Sequence, residues 1–285
     1  MVDVIVVDGS GEVHDPEAPL LHADDLGALR GDGVFETILI RGGRARLVDE
    51  HLRRLADGAA GLDLPAPDPT ALRRCIDVAE RQWASGDEAA LRVICSRGRE
   101  SVPDGPPTVY VTVGPLPARS VVARRAGVSV MTLERADDPD VVPRAPWELL
   151  GVKALSYARN MAALRHAHRA GADDGIYLSS AGSVLESPRA NVVAVIDGVL
   201  TATPRADGIL PGITQAALFA TAERRGLVVG ERRLTPADLR GADGVWLLSS
   251  LTLAARVHAL DGERLPPLSV SAPDIAALVD EAVAG

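Results

Sequence analysis

The chain has 285 residues, 47% of them hydrophobic and 24% charged, which suits one large or two modest folded domains and leaves no tract polar enough for disorder. Its formal charge of -9 argues against a nucleic-acid or anionic-membrane partner and for a small-molecule ligand. The first residues, Met1 to Asp8, carry acids and no basic leader, and no apolar run approaches a membrane span, so a cytoplasmic location is expected.

The first half reads as strands with two helices. Val4 to Val7, Val34 to Ile40 and Arg44 to Val48 are extended segments punctuated by glycine turns. Asp49 is the predicted N-cap of a helix through Ala60, with Leu52, Leu55 and Ala59 on one face. On it, the adjacent Arg53 and Arg54 point in different directions, so one of them can reach inward. Asp68-Pro69 starts a second helix with Leu72, Cys75, Ile76 and Ala79 inward, and Ala90 to Ser96 and Thr108 to Val113 are strands. A Pro-rich stretch then gives a domain plan of 1–115, a linker at 116–120, and 121–285.

The second half opens with a strand at Val128 to Leu133 and an irregular stretch up to Lys153. A helix over Ser156 to Ala170 follows, then strands at Gly175 to Leu178, Asn191 to Ile196 and Val199 to Ala202, the last two joined through Asp197-Gly198. Gly212 opens a helix ending at Gly226, and Thr235-Pro236-Ala237-Asp238 is a capping box. Strands at Val245 to Leu248 and Val257 to Leu260 and a helix after Ser271 complete an α+β chain.

Lys and Arg together number 30, and Lys153 is the only lysine. A drift from lysine to arginine is harmless on a surface. It is not tolerated where a neutral amine must act as nucleophile, because guanidinium stays protonated while lysine can be desolvated and deprotonated for Schiff-base chemistry. Gly208-Ile209-Leu210-Pro211-Gly212-Ile213-Thr214 puts a glycine loop at a helix start, where unpaired backbone N–H groups suit a phosphate. Glu186 enters an apolar stretch and needs a cationic partner, either a protonated ring nitrogen or Arg189. Cys75, Cys95 and the histidines at 14, 22, 166, 168 and 258 lack metal-ligand spacing, so no metal is expected.

Six segments in order carry a resemblance: Gly31-Asp32-Gly33-Val34-Phe35-Glu36-Thr37, His51-x-x-Arg54-Leu55, Lys153-Ala154-Leu155-Ser156-Tyr157, Leu185-Glu186 with Asn191, Leu210-Pro211-Gly212-Ile213-Thr214, and Ser249-Ser250-Leu251-Thr252. Together they resemble the fold-type IV pyridoxal-phosphate enzymes, aminotransferase class IV. The resemblance implies a small N-terminal and a larger C-terminal domain, pyridoxal 5'-phosphate (PLP) as cofactor, and a homodimer. It implies that Lys153 carries the cofactor as a Schiff base and transfers protons, and that Glu186 keeps the pyridine nitrogen protonated. It assigns the phosphate to Arg54, the N–H groups of Ile213 and Thr214, the Thr214 hydroxyl and Ser250, and the phenolic oxygen to Tyr157. Leu91 to Arg99 resembles the lyases and D-amino-acid enzymes, and Ser249 to Leu253 departs from the branched-chain aminotransferase pattern, which makes that reading the weaker one. The expected activity is 4-amino-4-deoxychorismate lyase, with Thr37 assisting the departing group and Arg97 or Arg99 holding a carboxylate. A D-amino-acid aminotransferase is the alternative, and a non-catalytic protein that keeps the fold is the reading from another class.

Overall fold

The computed structural model describes residues 4–65, 67–83, 85–135, 138–269 and 272–284; the expected tail Met1-Val2-Asp3 and the helix-start residue Ser271 lie outside them. The chain forms two compact units, one of residues 1–117 with Val152–Tyr157, the other of 118–151 with 158–285. The break after residue 117 falls inside the 116–120 stretch, and the short segment bearing Lys153 groups with the first unit.

In the first unit the elements are β1 (Ile5–Asp8), β2 (Val13–His14), α1 (Leu26–Arg30), β3 (Gly33–Arg41), β4 (Arg44–Ala45), α2 (Val48–Gly61), α3 (Pro69–Gln82), β5 (Ala89–Ser96) and β6 (Thr108–Pro115). The strands make an antiparallel sheet in the order β2-β1-β6-β5-β3-β4. Period-two alternation sorts its residues: Val34, Ile38, Ile40, Leu91, Val93, Cys95, Val111 and Val113 join Leu52, Leu55, Leu72 and Ile76 of α2 and α3 in one core. Phe35, Thr37, Arg92 and Thr112 therefore stand on the other face. The Asp68 side chain caps α3 as expected, whereas the N-cap of α2 is Leu47 in the left-handed region (φ 55°) rather than the predicted Asp49, which falls with Glu50 in the first turn.

The second unit contains α4 (Ala118–Ala126), β7 (Val128–Glu134), α5 (Ala158–Arg169), β8 (Asp174–Leu178), β9 (Asn191–Ile196), β10 (Val199–Ala202), α6 (Ile213–Arg224), β11 (Val228–Glu231), α7 (Pro236–Gly241), β12 (Gly244–Ser249), β13 (Leu253–Leu260), β14 (Glu263–Arg264) and α8 (Ile275–Ala284). Its sheet runs β11-β10-β9-β12-β13-β7-β8, with β14 paired to β13. Strands β9 and β12 are apolar almost throughout because both of their faces are covered, whereas β13 carries Arg256 and an exposed His258. Helix α4 begins inside the stretch expected to be a linker, and β11 was not foreseen. No helix among the described residues is long and apolar enough to cross a membrane.

Candidate active site

The Lys153 segment is held as a short strip against the start of β3. Phe35 N–H donates to the Lys153 carbonyl at 3.0 Å, Leu155 N–H to Gly33 at 2.8 Å, and Ala154 bridges Val34. This approach explains the Gly31-Asp32-Gly33 motif. A Cβ on Gly31 would lie 2.7 Å from Ser156 Cα, and one on Gly33 would lie 2.7 Å from Leu155 Cδ1 and 2.5 Å from the Cys95 carbonyl oxygen. So fixed, Lys153 places Nζ 4.6 Å from the centroid of the Phe35 ring, which meets Tyr157 edge-on at 5.6 Å.

On the core face of β3 sits Glu36, fully buried. Arg54 Nε and Nη2 donate to its two oxygens at 2.7 Å each, and His51 Nδ1 lies 2.7 Å from Oε2. Burial pushes the Glu36 carboxyl up, but the Arg54 guanidinium and His51 outweigh it and hold the group at about 2. Burial also pushes His51 below its ordinary value, helped by Arg54 and Lys153 and opposed by Glu36, which leaves it neutral at pH 7. Of the two adjacent arginines, Arg54 is the inward one at 12% side-chain exposure, while Arg53 is 71% exposed and pairs with Glu50.

Thr37 lies in the middle of β3, on the same sheet face as Phe35 and directly across from Arg92. The two arginines expected to hold substrate each have an acid partner. Arg97 bonds Asp32 (Nε, 2.6 Å) and the carbonyls of Leu62 and Asp63, bracing the glycine turn against the end of α2. Arg99 Nε donates to Asp24 at 3.0 Å.

In the second unit, the Glu186 carboxylate accepts the Leu210 N–H at 3.0 Å, and the cation beside it is Arg135, with Nη1 at 3.7 Å. Sequence reading missed Arg135, which no motif marks. Its suggested alternative, Arg189, instead pairs with Asp174 at 2.8 Å, a carboxylate that Ser187 also holds. Asn191 Nδ2 donates to the Leu210 carbonyl at 2.8 Å, tying the loop that carries Gly212 to β9. A Cβ on Gly212 would stand 2.1 Å from Asn191 Oδ1, so this position must be glycine.

Gly212 caps α6 without any side-chain hydrogen bond, which leaves the first-turn N–H groups, those of Ile213 and Thr214 among them, without a capping acceptor. The Thr214 hydroxyl is 4% exposed by residue and has no hydrogen-bond partner among the described residues. Ser250 occupies the turn between β12 and β13, whose Leu251 carbonyl is held by Arg124 Nε at 3.1 Å. These donors fit a phosphate, and the Glu186 carboxylate fits a protonated ring nitrogen, so the second unit's residues suit PLP. Elsewhere, Asp8, Glu12 and His14 bring one potential ligand atom each within 4.8 Å, a grouping that the histidine spacing did not suggest. Asp8 and His14 there bond each other directly at 2.8 Å. Cys75 and Cys95 are buried free thiols.

The amino-transferase class IV family profile matches residues 33–260. A bifunctional aminodeoxychorismate lyase / D-amino acid transaminase of Mycobacterium tuberculosis is 50% identical over 98% of this chain and 99% of its own length. The PLP-bound form of a hypothetical aminotransferase from Mycobacterium tuberculosis superposes with a TM-score of 0.94 at 50% identity, covering 99% of both chains. The 4-amino-4-deoxychorismate lyase of Pseudomonas aeruginosa superposes at 0.77 with 28% identity, covering 98% of this chain and 97% of that one.

Proposed function

The chain belongs to the class IV aminotransferase family, a PLP enzyme of the lyase or aminotransferase kind, and from that premise we propose that it is a 4-amino-4-deoxychorismate lyase. The observation that carries this reading is the only lysine of the chain, pinned through its backbone to β3 with its amine over the Phe35 ring.

When bound, PLP supplies an electron sink for the electrons released at the carbon next to the substrate amine. Lys153 would hold the cofactor through its amine, and Glu186, buttressed by Arg135 and the Leu210 N–H, would keep the ring nitrogen protonated. Arg54, the N–H groups of Ile213 and Thr214, the Thr214 hydroxyl and Ser250 would bind the phosphate, and Tyr157 would serve the phenolic oxygen. In the reaction the Lys153 amine would take the proton carried by the amine-bearing ring carbon. The C–O bond to the enolpyruvyl group then breaks, a proton reaches the departing group with help from the Thr37 hydroxyl, and pyruvate leaves. Aromatisation to 4-aminobenzoate drives the step.

The second reading, D-amino-acid transamination with Lys153 as the proton shuttle, is favoured by the bifunctional name of the Mycobacterium tuberculosis relative. Incubation with aminodeoxychorismate beside a D-amino-acid panel separates the two. Release of 4-aminobenzoate and pyruvate is the expected result. Rapid bleaching by D-alanine with no 4-aminobenzoate would replace the lyase with the transaminase. A cytoplasmic homodimer accompanies the proposal, to be checked by sedimentation and cell fractionation.

A further inference from the structure

Helix α4 contributes little to the core of the second unit, since Ser120 alone of its residues is buried. It is nevertheless seated closely: at Gly127, just past its end, a Cβ would stand 2.5 Å from the Arg256 carbonyl oxygen of β13. What holds it there is polar. Ser120 and Arg124, four residues apart, share one face of the helix. Both meet the turn that leads from β12 into β13. Arg124 donates to the Leu251 carbonyl through Nε at 3.1 Å and also through Nη2, and the Thr252 hydroxyl lies 3.5 Å from Ser120 Oγ. Inside the turn, Thr252 N–H donates to Ser249 Oγ at 3.2 Å.

This turn needs such ties. Ser249 pairs with Leu253, and Leu253, the residue that leaves the turn, is buried in the left-handed region at φ 58°. Glycine adopts that conformation freely, whereas a leucine adopts it at a cost that its surroundings must offset. Ser250 sits in the turn next to the carbonyl that Arg124 holds. An arginine suits the task, because two N–H groups of one planar fork converge on a single oxygen and fix the direction of the peptide, which a single flexible donor does not. We infer that Arg124 is a positioning residue for the cofactor phosphate: by gripping the Leu251 carbonyl it holds the strained turn in the form that offers Ser250 to the phosphate. The inference rests on the reading of Ser250 as a phosphate ligand and deepens it by naming the residue, on a helix that no motif marks, through which that ligand is kept in place.

The experiment titrates wild type, Ser250→Ala, Arg124→Met, Arg124→Lys and the double variant Arg124→Met/Ser250→Ala, each stripped of cofactor, with PLP and separately with pyridoxal, which lacks the phosphate. Loss of one hydrogen bond to the phosphate predicts a roughly 10-fold weaker Kd for PLP in Ser250→Ala. Arg124→Met should weaken PLP by about 5- to 10-fold, leave pyridoxal within about twofold, and add less than about twofold when Ser250 is already alanine, as two residues acting through one contact must. Arg124→Lys, which keeps the charge but not the fork, should show a smaller loss of about 2- to 5-fold with the same preference for PLP, and it decides the matter if Arg124→Met does not fold. Equal weakening of PLP and pyridoxal, losses that multiply in the double variant, or PLP binding untouched by the Arg124 substitutions while Ser250→Ala weakens it would overturn the positioning role and leave Ser250 as a ligand. If Ser250→Ala itself leaves PLP binding unchanged, the phosphate reading of Ser250 fails and the inference falls with it.

Discussion

The two units orient their candidate anion-binding donors by different physical means. In the first, the cation Arg54 is fixed by a fully buried carboxylate, Glu36, which His51 braces from its other side. In the second, the donors are backbone N–H groups at the uncapped start of α6, placed by a loop that Asn191 ties down. A flexible charged side chain must be oriented by a partner, and burying that partner makes the arrangement costly to break. Backbone donors are oriented by the helix itself and need only room, which Gly212 provides.

Substitutions that strike each side test this contrast. The largest effect is expected for Lys153→Ala, which should lower turnover by about four orders of magnitude, measured as 4-aminobenzoate release, while leaving thermal stability near wild type. Next comes Glu36→Gln. It leaves Arg54 facing a neutral partner inside the protein and should cost about 3–5 kcal/mol in urea unfolding, whereas Arg53→Ala on the same helix should cost no more than about 0.5 kcal/mol. On the second unit, Gly212→Ala forces a methyl against Asn191 and should cost about 1–3 kcal/mol, with a weaker PLP dissociation constant by fluorescence titration.

The smallest effect is on pH dependence. His51 has a folded pKa below its unfolded value of 6.5, so the unfolded state takes up its proton first and stability declines as pH falls below about 6.5. Glu36 has its carboxyl depressed from 4.5 to about 2, so its contribution is present above 4.5 and is lost as pH falls from there through about 2. Denaturation of His51→Gln across this range should lose the upper window and keep the lower one. A variant with both windows intact would show that His51 is not the upper group.

Much of this was legible before the structure, for reasons that differ residue by residue. Lys153 stood out because arginine cannot do the chemistry proposed for it, and Gly212 because a glycine before a helix marks a place where backbone must be approached closely. Glu36 was quoted in a motif but given no task. Its signal was present: it falls in phase with Val34, Ile38 and Ile40 on the core face, so it required a cation, and His51 and Arg54 lie on the inner side of the following helix. Arg135 carried no such signal, since its pairing with Glu186 arises from residues 51 apart in a chain order that local spacing does not encode. Helix α4 was hidden because Ser120 alone among its residues is buried, so it shows no apolar stripe. Arg97 and Arg99 drew notice through a motif, and their acid partners, Asp32 and Asp24, lie far from them in the sequence, where local spacing gives no signal.

The claim on which the account rests is that Lys153 holds the cofactor, and the composition makes it unusually clean to test, because the chain has only one side-chain amine. The PLP-loaded protein would be reduced with borohydride, digested and mapped by mass spectrometry. The account predicts a stable phosphopyridoxyl label on the peptide containing Lys153 and its loss in Lys153→Ala. Label confined to the amino terminus, or none at all on protein that has bound PLP, would contradict it.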